Sequence, residues 1–209
     1  LAVQLFLESM GYKCESIVFV EDVPIIKRIK RKIKLLLGHL ILRNNEINRE
    51  ISFRKFTKKY IHTRIIKSSY SRNRICDEYD YFVVGSDQVW NPQYCEERPM
   101  RYLLDFVECD KKKASYASSF GISELPKEYE YEFRKYLNKF SRISVREENT
   151  QRILLNQLGI KSTIVLDPTL LLGKQEWEKF ITLPKESNYV FLYEVMHRPE
   201  AVEFAYNLI

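Results

Sequence analysis

The sequence predicts an α/β protein built on a doubly wound parallel sheet, and three observations carry that prediction. Short apolar runs alternate with stretches of helical periodicity along most of the 209 residues. The runs end in Gly, Asp, Ser or Arg instead of trailing into polar alternation. The helices between them are long enough to join neighbouring parallel strands by right-handed crossovers. Open parallel sheets bind ligands beyond the carboxyl ends of their strands, so the residues following each apolar run are the candidates for function.

Taken in order, Leu1 to Met10 reads as an apolar helix closed at Gly11, with Cys14 to Val20 as the next strand. A strand ordinarily precedes such a helix, and the far end stops inside a helical pattern from Pro199 to Ile209. The pattern therefore predicts a chain that is a fragment at both ends. Lys27 to Leu42 spaces Ile29, Ile33, Leu36, Leu37 and Leu40 three or four apart among basic residues, as an amphipathic basic helix does. Ile47 to Tyr60 repeats the pattern with Ile51, Phe53 and Phe56, and a basic stretch rich in Ser and Arg follows. Tyr81-Phe82-Val83-Val84 is β-prone without polar alternation, which predicts a strand buried on both faces.

Beyond it, Lys112 to Ser119 reads as a strand, Glu128 to Phe140 as a helix, and Arg142 to Val145 as a strand. Glu147 to Leu158 is a helix ended by Gly159, Ser162 to Leu166 a strand, and Gln175 to Phe180 a helix. The polar segment 181–188, with Pro184 and Ser187, reads as a linker, and Tyr189 to Val195 as a strand. The expected organisation is an N-terminal α/β domain over 1–180 with a basic helical insertion at 27–74. A linker over 181–188 then leads to the start of a truncated second α/β domain at 189–209.

Composition narrows the function classes. With 45% hydrophobic and 30% charged residues the chain can bury a core and is neither fibrous nor disordered. No run approaches the ~20 apolar residues of a membrane span, and no secretory signal is visible. Cys14, Cys76, Cys95 and Cys109 are far apart without a Cys-x-x-Cys pair or clustered histidines, so neither a disulfide framework nor a structural metal is indicated and a reducing cytoplasm is expected. Residues 27–74 hold sixteen Lys or Arg against two Glu, while the rest of the chain is acidic on balance. A solvated basic face is the simplest account, and attraction to an anionic membrane surface is the next. No recognised nucleic-acid module accompanies the basic segment, and no nucleic-acid partner is expected.

Four strand ends carry candidate chemistry. After Val84, Gly85 permits a turn and Ser86, Asp87 and Gln88 offer hydroxyl, carboxylate and amide. Asp87 fits a helix cap, and fits equally a carboxylate that orients or deprotonates a sugar hydroxyl, with Trp90 stacking on the sugar and Asn91 bonding its rim. Ser118, Ser119 and Gly121 end the next strand, where small residues serve close packing and could also cradle an anion. Arg146 ends the third, placed to grip a phosphate or carboxylate or to pair with Glu147 or Glu148. Asp167, before Pro168, is explained as a cap and could take a minor positioning role.

Together the runs Tyr79 to Asn91, Lys113 to Gly121, Ile143 to Glu147 and Val165 to Leu170, in that order, resemble the polysaccharide pyruvyl transferase family of envelope biosynthesis. Leu1 to Gly11 is similar to the family's first helix. The resemblance implies a two-domain fold like that of GT-B glycosyltransferases, phosphoenolpyruvate as donor substrate and no cofactor. It implies an acceptor sugar of a polysaccharide or of its lipid-linked precursor, carrying pyruvate as a ketal in the product, as in exopolysaccharide or capsule synthesis. It assigns the donor anion to Arg146 and acceptor positioning to Asp87 with Gly85, Ser86 and Gln88. Cytoplasmic work is expected, and the basic charge of residues 27–74 fits peripheral contact at the inner face of the plasma membrane. The family's arginine and histidine pair of the second domain has no match before Ile209, so the fragment alone is expected to be inactive. Two other readings are a GT-B-type glycosyltransferase using a nucleotide sugar, and a non-catalytic basic module that binds anionic membrane or polysaccharide.

Overall fold

A computed structural model describes residues 1–20, 45–67, 72–94, 101–109, 112–183, 187–189, 191–193 and 198–207. The expected helix from Lys27 to Leu42 lies outside them. Leu1–Leu172 forms one compact unit and Gly173–Ile209 another. In the first unit come α1 (Ala2–Ser9), β1 (Ser16–Val20), α2 (Asn45–Tyr60), β2 (Thr63–Lys67), α3 (Arg72–Glu78) and β3 (Phe82–Val84). They are followed by β4 (Lys113–Ser118), α4 (Lys127–Leu137), β5 (Arg142–Val145), α5 (Glu148–Asn156) and β6 (Thr163–Ile164).

All strand pairs are parallel. β1 and β2 form a ladder of their own from Ser16↔Thr63 to Val20↔Lys67, and β3 to β6 form a four-stranded sheet in chain order. β2 was not expected, because its two isoleucines sit among Arg64 and Lys67 in a basic stretch; Ile66 is nonetheless buried while Ile65 faces out. Gln4 helps hold that strand's entry: its side-chain amide donates to Tyr60 O at 3.2 Å and accepts from His62 N at 3.1 Å.

The order β3-β4-β5-β6 contains no reversal, so a doubly wound pattern is not present within this sheet. With right-handed crossovers an order that advances one way sets the connecting helices on one face. This corrects the expected double burial of Tyr81 to Val84: Phe82 and Val84 are buried, whereas Tyr81 is 65% and Val83 45% exposed. Among the described strands β3 stands at the edge of its sheet. β6 is also shorter than expected, two residues long, since Val165 continues the ladder by one bond to Val145 O at 2.9 Å and the chain then turns away.

The core fills the covered face. Trp90 packs on Phe120 with ring centroids 5.6 Å apart, and Phe120 on Phe133 at 5.3 Å, with all three rings fully or almost fully buried. α4 contributes Phe133 and Leu137, and α5 contributes Ile153 and Leu154. The helices are tied at their ends: Arg134 Nε donates to Leu158 O at 3.2 Å and its Nη2 to Gln157 O at 2.6 Å, satisfying carbonyls that α5 leaves open. α4 also carries Glu128 and Glu130 in its first turn and Arg134 and Lys135 in its last, as the helix dipole favours.

In the second unit, α6 (Lys174–Glu178) and α7 (Pro199–Tyr206) are formed, the latter with Pro199 at its first turn. The expected strand from Tyr189 to Val195 is not found in its described residues, where Phe191 is 77% and Tyr193 78% exposed. Apolar β-prone residues become a strand only when a ladder and a buried face hold them.

β4 contains a bulge. Its register to β5 shifts between Ser115 and Ser118, with Ala117 in the left-handed region at φ 52°. Hydroxyls replace the interrupted ladder: Ser115 Oγ donates to Ser144 O at 3.0 Å, and Ser144 Oγ donates to Ser115 O at 2.8 Å. Gly85, at φ 129° and joined to Ser86 by a cis peptide, lies directly against the bulge. A Cβ there would overlap the Tyr116 carbonyl oxygen and meet Ser118 Oγ at 2.9 Å. Gly85→Ala is therefore expected to lower the free energy of unfolding by about 2 kcal/mol or more, from strain plus overlap. Urea unfolding measures it, and a midpoint equal to the wild type would refute the close approach.

Candidate functional site

Because the four strands of the sheet run parallel, their carboxyl ends share one edge, and the backbone ladder extends past the strands there. Asp87 bridges Ser118, Ser119 N donates to Asp87 O at 3.0 Å, and Arg146 N donates to Ser118 O at 3.3 Å. This brings Asp87, Arg146 and Asp167, which are 59 and 21 residues apart in the chain, into one cluster.

Arg146 is its centre. Nη1 donates to Asp167 Oδ2 at 3.1 Å, Nη2 stands 3.9 Å from Asp87 Oδ1, and Nε stands 3.9 Å from Glu147 Oε2. The alternative of a pair with Glu147 or Glu148 holds for Glu147, which stands at ion-pair distance, while the hydrogen bond goes to Asp167. Asp167 is meanwhile the expected cap of the short 3-10 turn Pro168–Leu171, accepting from Thr169 N at 2.9 Å and Thr169 Oγ1 at 2.7 Å. Burial pushes the Asp167 carboxyl up, but the bonds from Thr169 and the Arg146 guanidinium outweigh it and hold the group below the usual carboxylate range. Tyr116, aimed by the bulge, has its hydroxyl pushed up by burial and by the Asp167 charge.

Asp87 does not cap a helix. It sits in the left-handed region at φ 74°, accepts its neighbour Gln88 N on Oδ1 at 2.8 Å, and leaves its side chain 85% exposed. Ser86 and Gln88 are half-buried beside it. Gln88 lies against Gly121, where a Cβ would overlap its amide, and accepts Asn91 Nδ2 on Oε1 at 3.1 Å.

Four expected binding residues lie behind the edge. Trp90 is fully buried and donates Nε1 to Tyr102 O at 3.1 Å, so its ring belongs to the core and presents no open face to a sugar. Asn91 is 3% exposed and spends its amide on Gln88 and on Gln93 N at 3.0 Å. Ser118 and Ser119 are fully buried, Ser118 Oγ donating to Val84 O at 3.2 Å. Ser119 Oγ donates to Glu147 Oε1 in a very short bond and accepts Gly121 N at 2.9 Å. An indole or hydroxyl after a strand carries no sign of which side it faces, and here apolar Phe120 drew the whole loop inward.

Glu147 is a residue whose position matters more than its sequence context suggested. Its Oε1 also accepts Thr150 Oγ1 at 2.8 Å, and Thr150 Oγ1 in turn accepts Phe120 N at 3.0 Å. This network fastens the Ser118 to Gly121 loop to the start of α5. The Val-Arg-Glu run with Thr three residues on was the available signal. Among the described residues no three His, Cys, Asp or Glu side chains group as a metal-ligand set.

The Asp167 arrangement has a pH signature. A carboxyl held below its ordinary value of 3.8 contributes stability that is fully present above that value and is lost as pH falls through the lower folded value. Asp167→Asn should be about 1 kcal/mol less stable than wild type at neutral pH, with the gap narrowing below pH 3.8. Urea midpoints measured from pH 7 downward test this, and a gap that widens in acid would contradict it.

A family model for polysaccharide pyruvyl transferase matches residues 1–207, almost the whole chain. Neither a curated protein nor a solved structure matches it. No described helix is long and apolar enough to cross a membrane. The match spans every strand end that builds the Asp87, Arg146 and Asp167 cluster, and on its extent the chain belongs to the polysaccharide pyruvyl transferase family.

Proposed function

We propose that the protein transfers the pyruvyl group of phosphoenolpyruvate to two hydroxyls of one sugar, forming a ketal on a polysaccharide or lipid-linked oligosaccharide. The observation that carries this reading is the exposed Asp87 carboxylate held beside a guanidinium that still has donors to give. Arg146 spends Nη1 on Asp167 but has no hydrogen bond from Nη2 or Nε among the described residues. Those two N–H groups can take the carboxylate or phosphate of the donor in a forked grip.

The chemistry assigns the remaining roles. Protonating the methylene carbon of phosphoenolpyruvate leaves positive charge on the adjacent carbon, which a sugar oxygen attacks. Phosphate then departs and the second hydroxyl closes the ketal, one hydroxyl proton having gone to the methylene carbon and the other to phosphate. Asp87, backed by Ser86 and Gln88, orients the attacking hydroxyl and takes its proton. Gly121 and Gly85 let the loops close enough to keep Asp87 in place. Among the described residues Asp87, Glu147 and Asp167 surround a single cation, Arg146, so the donor's charge calls for further cations.

The work belongs at the inner face of the plasma membrane in this reading. The charge of α2, with Arg49, Lys55, Lys58 and Lys59 on one helix whose Phe53 is 65% exposed, supports it through attraction to anionic lipid, although its apolar residues do not gather on one face.

The test uses the product of the whole reading frame with phosphoenolpyruvate and lipid-linked oligosaccharide, following phosphate release and ketal formation. Arg146→Ala should weaken donor binding by roughly 10- to 100-fold, the value of one or two charge-assisted bonds. Asp87→Asn should leave donor affinity alone and lower turnover by about 100-fold. Turnover of a nucleotide sugar with no phosphate release from phosphoenolpyruvate would overturn the proposal.

A further inference from the structure

Away from the strand-end cluster, two cysteines 33 positions apart in the chain meet at the other end of the sheet. Cys76 lies in α3, which precedes β3, and is 4% exposed within the core cluster. Cys109 lies shortly before β4 and is exposed. Three contacts bring them together. Glu108 N donates to Cys76 Sγ at 3.2 Å, placing the residue before Cys109 on the sulfur. Lys112 Nζ donates to Cys76 O at 2.6 Å and to Tyr79 O at 2.7 Å, closing the end of α3 onto the approach to β4. The nearby Cys76 side chain, ahead of burial, pushes the Cys109 thiol up from its ordinary range.

We propose that Cys76 and Cys109 form a modification site, a dithiol that closes to an intramolecular disulfide on meeting a small-molecule disulfide. Exposure makes Cys109 the residue that reacts first. Its thiolate attacks one sulfur of the oxidant and displaces one small thiolate, leaving a mixed disulfide. The Cys76 thiolate then attacks the Cys109 sulfur and displaces the second. Two protein S–H bonds are lost, one S–S bond forms, and the two protons and two electrons end on two small thiols. Burial shields Cys76 from direct attack, so it acts only on a sulfur already delivered to it. Lys112 favours the Cys109 thiolate, and Cys76 and Asp77 oppose it. Because the thiol stands above its ordinary range, closure should quicken as pH rises. The bond would staple the approaches to β3 and β4, the two strands whose far ends hold Asp87 and Ser118.

The experiment incubates the protein with oxidised glutathione and follows intact mass and peptide maps. The expected result is a loss of about 2 Da without retained glutathione, with the peptide holding Cys76 linked to the one holding Cys109. Cys109→Ser should leave Cys76 reduced under the same conditions, and since Cys109 is exposed this variant is expected to fold as the wild type does. Stable glutathionylation of Cys109 with no resolution, or a bond from Cys109 to Cys14 or Cys95, overturns the proposal.

Discussion

Gly85 resting on the carbonyl of Tyr116 is the contact from which the edge of the sheet takes its shape. The bulge in β4 moves that carbonyl out of its regular place, and only a residue without Cβ can pass it. Once past, the chain bends so that Asp87 pairs with Ser118, and Ser118 in turn accepts Arg146 N. Two carboxylates and a guanidinium thereby meet without any of them having to fold the others into place. The hydroxyls of Ser115 and Ser144 make the irregular stretch affordable by taking over bonds the ladder gives up.

Most of the regular elements were legible because their signals are local. Arg142 to Val145, for example, is a strand over the residues that its Ile and Val suggested, and α5 ends near Gly159 as a helix-terminating glycine requires. β2 escaped because charge hid a β-branched core, and the exposed face of β3 escaped because burial depends on where a strand stands in the sheet. Periodicity speaks of one strand's own faces. It does not say which neighbours, or how many layers, will cover them.

The site was legible in its carboxylates and its arginine but not in their supports. Asp87, Arg146 and Asp167 stood out since a charged group directly after an apolar run has few structural reasons to be there. Trp90, Asn91, Ser118 and Ser119 looked similar in sequence, yet each turns inward: Trp90 and Ser118 donate to backbone carbonyls, Ser119 donates to Glu147, and Asn91 accepts from Gln93 N. Which of two polar neighbours faces solvent is decided by the apolar residue between them, here Phe120, and by the bulge that re-aims the chain.

The chain-order sheet has a bearing on how the molecule comes into being. Each strand from β4 to β6 pairs with the one made immediately before it, so every ladder of this sheet closes a loop of modest length and needs nothing synthesised later. A nascent chain can add β4 to β3, then β5, then β6, with each new strand finding a finished edge as its template. Asp87 takes its place when β4 pairs with β3, Arg146 arrives with β5, and Asp167 secures it last. The cluster is thus assembled in the order in which the ribosome delivers it.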